Sequence, residues 1–330
     1  MDDSLGGALY DAGGDRDVGV LGNRPAWIRL GAWPHSCGGI YRARISPVVR
    51  QTSLWQSALM SFVGDAEAIA QRLAVTRAQP SKVLSVVSAV LLVLWIIVMV
   101  FFFYVVVVTV KRHIPRLLML FHGGVAWLFG IRIHVRGELA TDGPVLYVSN
   151  HVSYLDVFVL GAKVPGSFIA KAEVAGWPVF GSLAKYQNTL FFERNTRRAA
   201  DQIGVMKEHL AQRSNLILFP EGTSTTGDRV EPFRSSLFSA IGDGQIQPVT
   251  LVYADYQRQP MTQAERDRYA WYLPMPFASH FFAALGLLRS DVYIICHNPV
   301  RLSDFPDRKS CAAHCEQFVR DGLESILKRV

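Results

Sequence analysis

The sequence has few charged residues and few cysteines. Only 18% of its 330 residues are charged while 50% are hydrophobic, and this balance is too apolar for a protein wholly surrounded by water. The cysteines at positions 37, 296, 311 and 315 form no Cys-x-x-Cys pair, so we expect neither disulfides nor a metal site. The net charge of +7 suggests an anionic partner, but no nucleic-acid-binding motif is present. A membrane surface is therefore the better partner.

Residues 1–80 lack both a functional motif and a secretory signal. No short apolar core follows a basic start. Residues that break regular structure interrupt the segment at Gly13-Gly14, Pro25, Pro34 and Gly38-Gly39. We therefore expect residues 1–80 to form a weakly ordered N-terminal tail.

A long apolar run follows this tail. Within residues 83–110 the polar side chains are Ser85, Ser88 and Thr109. At ~1.5 Å rise per residue, a helix of this length exceeds the ~30 Å hydrocarbon core of a bilayer. The run therefore predicts a transmembrane helix within residues 81–113. Basic residues flank it at both ends, so the positive-inside rule leaves its orientation open.

The next segment, residues 114–130, has the pattern of an amphipathic helix. One helical face carries apolar side chains, namely Ile114, Leu117, Leu118, Phe121, Val125 and Leu128. Pro115 suits a first helical turn, and Arg116 and Trp127 suit the boundary between membrane and water. We expect this interfacial helix to tie the following domain to the bilayer surface.

Residues 131–330 alternate between strand and helix patterns. The predicted strands are 131–136, 144–148, 167–170, 189–193, 215–219, 248–253 and 291–296. The predicted helices are 154–162, 177–186, 196–212, 233–241, 278–287 and 310–328, with Asn195 and Thr196 as candidate caps of the third. Such alternation predicts an α/β domain in which a mostly parallel sheet is flanked by helices. Active groups should then lie at the carboxyl ends of the strands.

One such strand end carries a candidate general base. His151 follows the buried strand 144–148, and Asp156 falls in the first turn of the next helix. Residues five apart on a straight helix point in different directions, but the two side chains can approach if His151 lies on the turn. Asp156 would then hold one imidazole nitrogen as a donor and leave the other to accept a proton. Alone the pattern is weak, because a capping Asp near an unrelated His produces it too.

Three further blocks follow in order: Phe191-Phe192-Glu193-Arg194, Phe219-Pro220-Glu221-Gly222-Thr223 and the strand that contains Pro248. Together with Asn150-His151-x4-Asp156 they resemble the four blocks of the PlsC-type glycerolipid acyltransferases, over residues 115–300. The resemblance implies transfer of a fatty acyl group from acyl carrier protein or coenzyme A to the hydroxyl of a lysolipid. It also implies work at the cytoplasmic face of the inner membrane without a metal or organic cofactor.

The resemblance assigns roles to individual residues. His151 would take the hydroxyl proton while Asp156 orients it, and the lack of a Gly-x-Ser-x-Gly elbow argues against a covalent serine intermediate. The candidates for acceptor binding are Glu221, Gly222, Thr223, Arg194 and Ser224, and possible further anion contacts are Lys171, Arg229 and Arg234. Instead of binding the acceptor, Glu221 could be a carboxylate that caps a turn, and Arg194 could form an ion pair at the surface.

Two positions depart from the family pattern. Asn188 stands where the second block usually opens with Gly, and Ser224 stands where the third block usually has Arg. An arginine at position 224 would bind a phosphate monoester through two hydrogen bonds. Residues 219–238 and 253–272 resemble the lyso-ornithine lipid acyltransferase branch, which favours that acceptor over lysophosphatidic acid. A membrane-anchored hydrolase and an inactive lipid-binding relative are the alternatives from other classes.

Overall fold

A computed structural model describes residues 71–176, 180–193, 199–212, 214–272 and 275–328. Several expectations from the sequence lie outside these residues. They concern the tail up to residue 70, Arg194, and the candidate helix caps Asn195 and Thr196.

A mostly parallel sheet forms the centre of the described structure. In chain order its strands are β1 Ile131–Arg136, β2 Val145–Ser149, β3 Ser167–Lys171, β4 Leu190–Phe192, β5 Leu216–Leu218, β6 Gln245–Tyr256, β7 Gln259–Pro260, β8 Ser290–Cys296 and β9 Val300–Arg301. Across the sheet the order is β1-β8-β6-β2-β5-β3-β4, and β7 and β9 pair with β6. The three pairs of β6 with β7, β8 and β9 are antiparallel, and the other pairs are parallel. The predicted α/β class and all seven predicted strands are confirmed. The strands β7 and β9 were not predicted, because two residues are too few to show a strand pattern in the sequence.

Helices cover both faces of this sheet. They are α1 Lys82–Thr109, α2 Ile114–Leu128, α3 Leu155–Gly161, α4 Phe180–Tyr186, α5 Ala199–Ala211, α6 Gln263–Arg266, α7 Phe277–Leu285 and α8 Arg308–Leu327. Val145 and Tyr147 of β2 join a core with α1, α2, α3 and α7, whereas Leu146 and Val148 join a second core with α5 and α8. Successive side chains of a strand point to opposite faces. The apolar strand β2 is therefore buried on both sides, as parallel strands usually are.

One predicted helix has a different geometry. Residues 233–241 were expected to form an α-helix, but Ser235–Ala240 form a 3-10 helix. On one side the backbone N–H of Arg234 bonds to the carbonyl of Pro220, and on the other Gly242 has a φ of +59°. The segment between these two points is short, and 3-10 geometry is common in short helical pieces.

The two apolar helices predicted before the domain are both present and pack against each other. The indole N–H of Trp95 in α1 donates to the backbone carbonyl of Phe121 in α2, at 3.2 Å. Gly124 makes this approach possible, because a Cβ there would lie 2.3 Å from Trp95 Cε2. The glycine that weakens α2 as an isolated helix is thus what lets the two helices pack closely.

Helix α1 also contacts the domain near both of its ends. The backbone N–H of Ser81 donates to the carbonyl of Gly286 at 2.9 Å, and the ring of Phe103 lies 5.5 Å from that of Tyr186. The opposite side of the 28-residue helix exposes apolar side chains, among them Val86, Val90, Leu94, Ile97 and Phe101. By length and composition α1 could cross a membrane, and that it does so stays a prediction.

Residues 71–80 pack on the domain as well. Arg77 forms two hydrogen bonds with the carboxylate of Glu265, at 2.5 and 2.8 Å, and Glu265 is buried. Ala78 is fully buried beside this pair, and Arg72 lies 3.5 Å from Asp267. The expectation of a weakly ordered tail therefore does not extend to residues 71–80.

Candidate active site

The turn between β2 and α3 brings the predicted base and its partner together. His151 lies on this turn, and Asp156 lies in the first turn of α3. His151 Nδ1 and Asp156 Oδ2 are 2.9 Å apart. Because a carboxylate can only accept hydrogen bonds, Nδ1 carries the proton and donates it. In the neutral imidazole the other ring nitrogen, Nε2, is then the one able to accept a proton.

Asp156 is fully buried and surrounded by donors. Its Oδ2 also accepts the backbone N–H groups of Val152 at 2.6 Å and Ser153 at 2.9 Å, and its Oδ1 accepts the hydroxyl of Tyr253 at 2.9 Å. Its place at the start of α3 favours negative charge. This arrangement suits an ionised carboxylate that orients the imidazole of His151 and stabilises its protonated form.

The segment after β5 holds the backbone of His151 from both sides. The His151 N–H donates to Glu221 Oε1 at 2.7 Å, and the His151 carbonyl accepts the backbone N–H of Thr225 at 2.9 Å. The ring of Phe219 stacks on the imidazole, with centroids 4.1 Å apart. Since β5 neighbours β2 in the sheet, the third sequence block is placed to fix the position of the base.

Glu221 is committed to the backbone rather than to the site. Its second oxygen accepts the N–H of Glu231 at 2.9 Å, and its buried side chain does not line the cavity next to His151. Burial raises the pKa of Glu221 to about 8, against the opposite effect of its two N–H donors. The predicted acceptor contact of Glu221 has no support in this geometry, which matches the turn-capping alternative.

A cavity of about 1180 Å³ lies beside His151. Its wall is mainly apolar and includes Ile96, Met99 and Phe103 of α1, Leu118 and Phe121 of α2, and Phe158 of α3. The volume exceeds the ~300–1,000 Å³ of most small-molecule sites. The two apolar helices thus form one side of a space that the candidate base also lines, and a long apolar chain would suit this space.

Arg234 and Lys171 are the predicted anion contacts that line this cavity. The guanidinium of Arg234 lies against Gly222, where a Cβ would be 3.0 Å from Nη1. Among the residues that the structure describes, no carboxylate forms an ion pair with Arg234. Arg234 is therefore placed to contribute a positive charge beside Gly222, in the same cavity that Ser224 lines.

Arg229, the other arginine considered for that role, is engaged elsewhere. Its Nε lies 2.7 Å from Glu231 Oε1 and its Nη1 lies 3.8 Å from Asp228 Oδ1. The side chain is 58% exposed and is not on the cavity wall. Its predicted anion contact therefore has no support in the structure.

Gly222, Thr223 and Ser224 all line the cavity. Gly222 has a φ of +70°, in the region that favours glycine. The Ser224 hydroxyl donates to the backbone carbonyl of Trp271. The backbone N–H of Trp271 in turn donates to the carbonyl of Val152 at 2.9 Å. Ser224 thus ties the third block to a loop that is itself attached to the turn of the base.

Sequence reasoning missed three supports of the His–Asp pair: Tyr253, Phe219 and Thr225. Tyr253 had a usable signal, because it shares one face of β6 with the buried Val249 and Leu251, and a buried tyrosine hydroxyl needs a partner. The partner itself could not be read from the sequence.

Within the described ranges, no group of three His, Cys, Asp or Glu side chains is placed to hold a metal.

Comparison with known proteins identifies the family of this chain. The family model described as Acyltransferase matches residues 130–254. The lyso-ornithine lipid O-acyltransferase of Rhodobacter capsulatus is 38% identical over 205 residues, which cover 59% of this chain and 71% of the relative. The enzyme of the same name from Brucella abortus is 36% identical over 227 residues, which cover 66% of this chain and 84% of the relative. The 1-acyl-sn-glycerol-3-phosphate acyltransferase of Neisseria gonorrhoeae is 41% identical over 124 residues, which cover 36% of this chain and 49% of the relative.

The residues matched by the family model begin after α2, at residue 130, and run into β6, and so contain the His151–Asp156 pair, the third block and Tyr253. Two of the relatives are matched over most of their own length. This chain therefore belongs to the acyltransferase family, and it is an O-acyltransferase.

Proposed function

We propose that this chain transfers a fatty acyl group from an acyl thioester to the hydroxyl of a lysolipid, with lyso-ornithine lipid as the favoured acceptor. One observation carries the proposal. Oδ2 of the buried Asp156 lies 2.9 Å from His151 Nδ1, and His151 lines an apolar cavity of about 1180 Å³. Acyl transfer needs a base for the hydroxyl and an apolar space for the chain, and this site offers both.

The reaction follows from the protonation of the pair. His151 Nε2 removes the proton of the acceptor hydroxyl as its oxygen attacks the carbonyl carbon of the thioester. Asp156 stabilises the imidazolium that forms. The tetrahedral intermediate then expels the thiolate as the C–S bond breaks, and the thiolate takes the proton from His151. The products are an ester and a free thiol, and the base returns to its starting state.

We propose acyl carrier protein or coenzyme A as the carrier of the acyl group. A thioester is already activated for attack, so the step that needs catalysis is deprotonation of the alcohol. For that reason we propose that no metal or organic cofactor takes part.

The apolar outer side of α1 supports a place at a membrane. A contiguous apolar surface of this size is unfavourable in water and favourable in lipid. We propose that α1 and α2 enter the cytoplasmic (inner) membrane and that the catalytic domain lies on its cytoplasmic face. Carrier-bound acyl groups would reach the domain there from the aqueous side, and the lysolipid would reach it from the bilayer.

Two observations favour lyso-ornithine lipid as the acceptor. Ser224 brings no charge to the position where a phosphate-binding arginine is expected, and two relatives matched over most of their length are named for this acceptor. Arg234 would bind the carboxylate of the ornithine head group through its planar guanidinium. The binding site for a head group with one carboxylate needs less positive charge than the binding site for a phosphate monoester.

Lysophosphatidic acid is the second candidate acceptor. Lys171 and Arg234 both line the cavity, and together they could hold a phosphate group. The Neisseria relative is named for this acceptor, although it matches a smaller part of the chain.

The test uses purified full-length protein in lipid nanodiscs with labelled acyl thioesters and an equimolar mixture of the two lysolipids. We expect label in diacylated ornithine lipid, and in His151→Ala we expect no transfer. His134→Ala is the matched control, because His134 also pairs with an aspartate, Asp291, at 2.7 Å but does not line the cavity. It should keep wild-type turnover.

The outcomes separate the alternatives. Label mainly in phosphatidic acid would replace the favoured acceptor with the second one. Label only in free fatty acid would favour the hydrolase, and wild-type turnover in His151→Ala would remove the proposed base.

A further inference from the structure

His122 is a polar residue on the apolar wall of the cavity. Its side chain belongs to α2 and is only 3% exposed. Neither ring nitrogen forms a hydrogen bond of ordinary length and angle with any residue that the structure describes, although the side-chain amide of Gln187, which also lines the cavity, approaches the ring. A buried polar group without a partner costs stability, and such groups are uncommon in folded proteins.

Apart from Gln187, the surroundings of the ring are apolar and closely fitted. The rings of Phe121, Phe158 and Phe168 lie 5.4, 5.8 and 6.3 Å from the imidazole. Gly161 of α3 leaves the space that the ring fills, because a Cβ there would lie 2.7 Å from His122 Cδ2. In such surroundings an imidazole is neutral, with one nitrogen as donor and the other as acceptor.

A row of aromatic rings connects His122 with the base. The His151 ring stacks on Phe219 at 4.1 Å, Phe219 stacks on Phe168 at 6.3 Å, and Phe168 is 6.3 Å from His122. All four side chains line the same cavity. A chain that begins at His151 and follows this wall would pass two phenylalanine rings before it reaches His122.

The donor's acyl chain is the occupant that this cavity suits best. The acceptor is a membrane lipid, and its own chain can stay in the bilayer during the reaction. The donor's chain arrives from water on a soluble carrier and needs an apolar space inside the enzyme. A hydroxyl group on that chain would meet His122 only if it were well away from the thioester.

We propose that His122 binds a hydroxyl group in the middle of the donor's acyl chain, so that the enzyme selects hydroxylated chains over plain ones. This inference rests on the proposed acyl transfer. The hydroxyl would satisfy an imidazole nitrogen that otherwise has no partner, whereas a plain chain would leave it buried against methylene groups.

The experiment places thioesters of equal length in competition for lyso-ornithine lipid. One carries an octadecanoyl chain, the second carries the same chain with a mid-chain hydroxyl, and the third has the hydroxyl next to the thioester. We expect wild type to prefer the mid-chain isomer over both others. In His122→Phe the product ratio of mid-chain hydroxylated to plain chain should fall about tenfold, the effect of one buried hydrogen bond.

Phe121→Leu is the control variant, since it changes the volume of the same wall without changing its polarity. We expect it to leave the product ratio unchanged. The ratio is measured within one preparation, so partial misfolding of a variant cancels.

Two results would overturn the inference. One is a wild type that shows no preference for the mid-chain isomer, and this result needs no variant. The other is an equal ratio in wild type and His122→Phe. Absence of transfer from every thioester in wild type would instead overturn the proposed function, so the two failures are distinguishable.

Discussion

Replacement of Asp156 by asparagine should separate the charge of this residue from its hydrogen bonds. In Asp156→Asn the amide oxygen can take the place of Oδ2 and keep the bonds from His151, Val152 and Ser153. The amide NH₂ group then replaces Oδ1 and faces the hydroxyl of Tyr253, which can rotate from donor to acceptor. We therefore expect Asp156→Asn to fold, with a loss of stability below about 1 kcal/mol.

The loss of activity should be much larger. The imidazolium that forms at His151 would lose a negative charge about 4 Å away, worth about 4 kcal/mol at an effective dielectric constant of ~20. That energy corresponds to a decrease of about 10³-fold in kcat. The rate is measured by acyl transfer under saturating substrates, and stability by thermal unfolding of the same preparation.

A second substitution tests the role of the tyrosine. In Asp156→Asn combined with Tyr253→Phe, the amide N–H has no acceptor, and we expect a further loss of stability of about 1–3 kcal/mol. Asp291→Asn, in the His134 pair outside the cavity, is the control for kcat. If Asp156→Asn kept more than a tenth of wild-type kcat, the charge of Asp156 would not matter in the way described.

Two further predictions concern charged residues. Arg234→Gln should raise the KM for the acceptor about tenfold or more through loss of a charge-assisted contact, while Arg229→Gln, outside the cavity, should leave steady-state kinetics unchanged; equal effects of the two variants would contradict the assignment. Arg77→Met should lower the free energy of unfolding by about 1 kcal/mol at pH 7, a small value because Arg77 is nearly half exposed. Although burial acts in the opposite direction, hydrogen bonds from Arg77 and a neighbouring threonine hold the pKa of Glu265 below its ordinary value. The stabilisation is therefore present above the ordinary glutamate pKa of about 4.3 and lost as the pH falls below it, so wild type and Arg77→Met should differ in unfolding temperature at pH 7 but not in acid.

The elements of the fold were predictable because their signals are local. Buried strands such as β2 are short apolar runs bounded by residues that favour turns, and α1 is a run of apolar residues longer than any ordinary strand. The 3-10 helix Ser235–Ala240 was mistaken for an α-helix because its limits are set by a bond to Pro220 and by the backbone of Gly242. Neither limit is visible in the periodicity of the segment.

The sequence by itself determined that His151 and Asp156 lie within reach of each other, because a strand, a turn and the first turn of a helix can bring residues five apart together. Only the tertiary structure decided what surrounds this pair. Glu221 is 70 positions from the His151 N–H that it accepts, Tyr253 is 97 positions from Asp156, and Arg77 is 188 positions from Glu265. A carboxylate on a turn can bind a substrate or a backbone amide equally well. Which of the two it meets depends on which strands become neighbours in the sheet, and that follows from the packing of the whole chain.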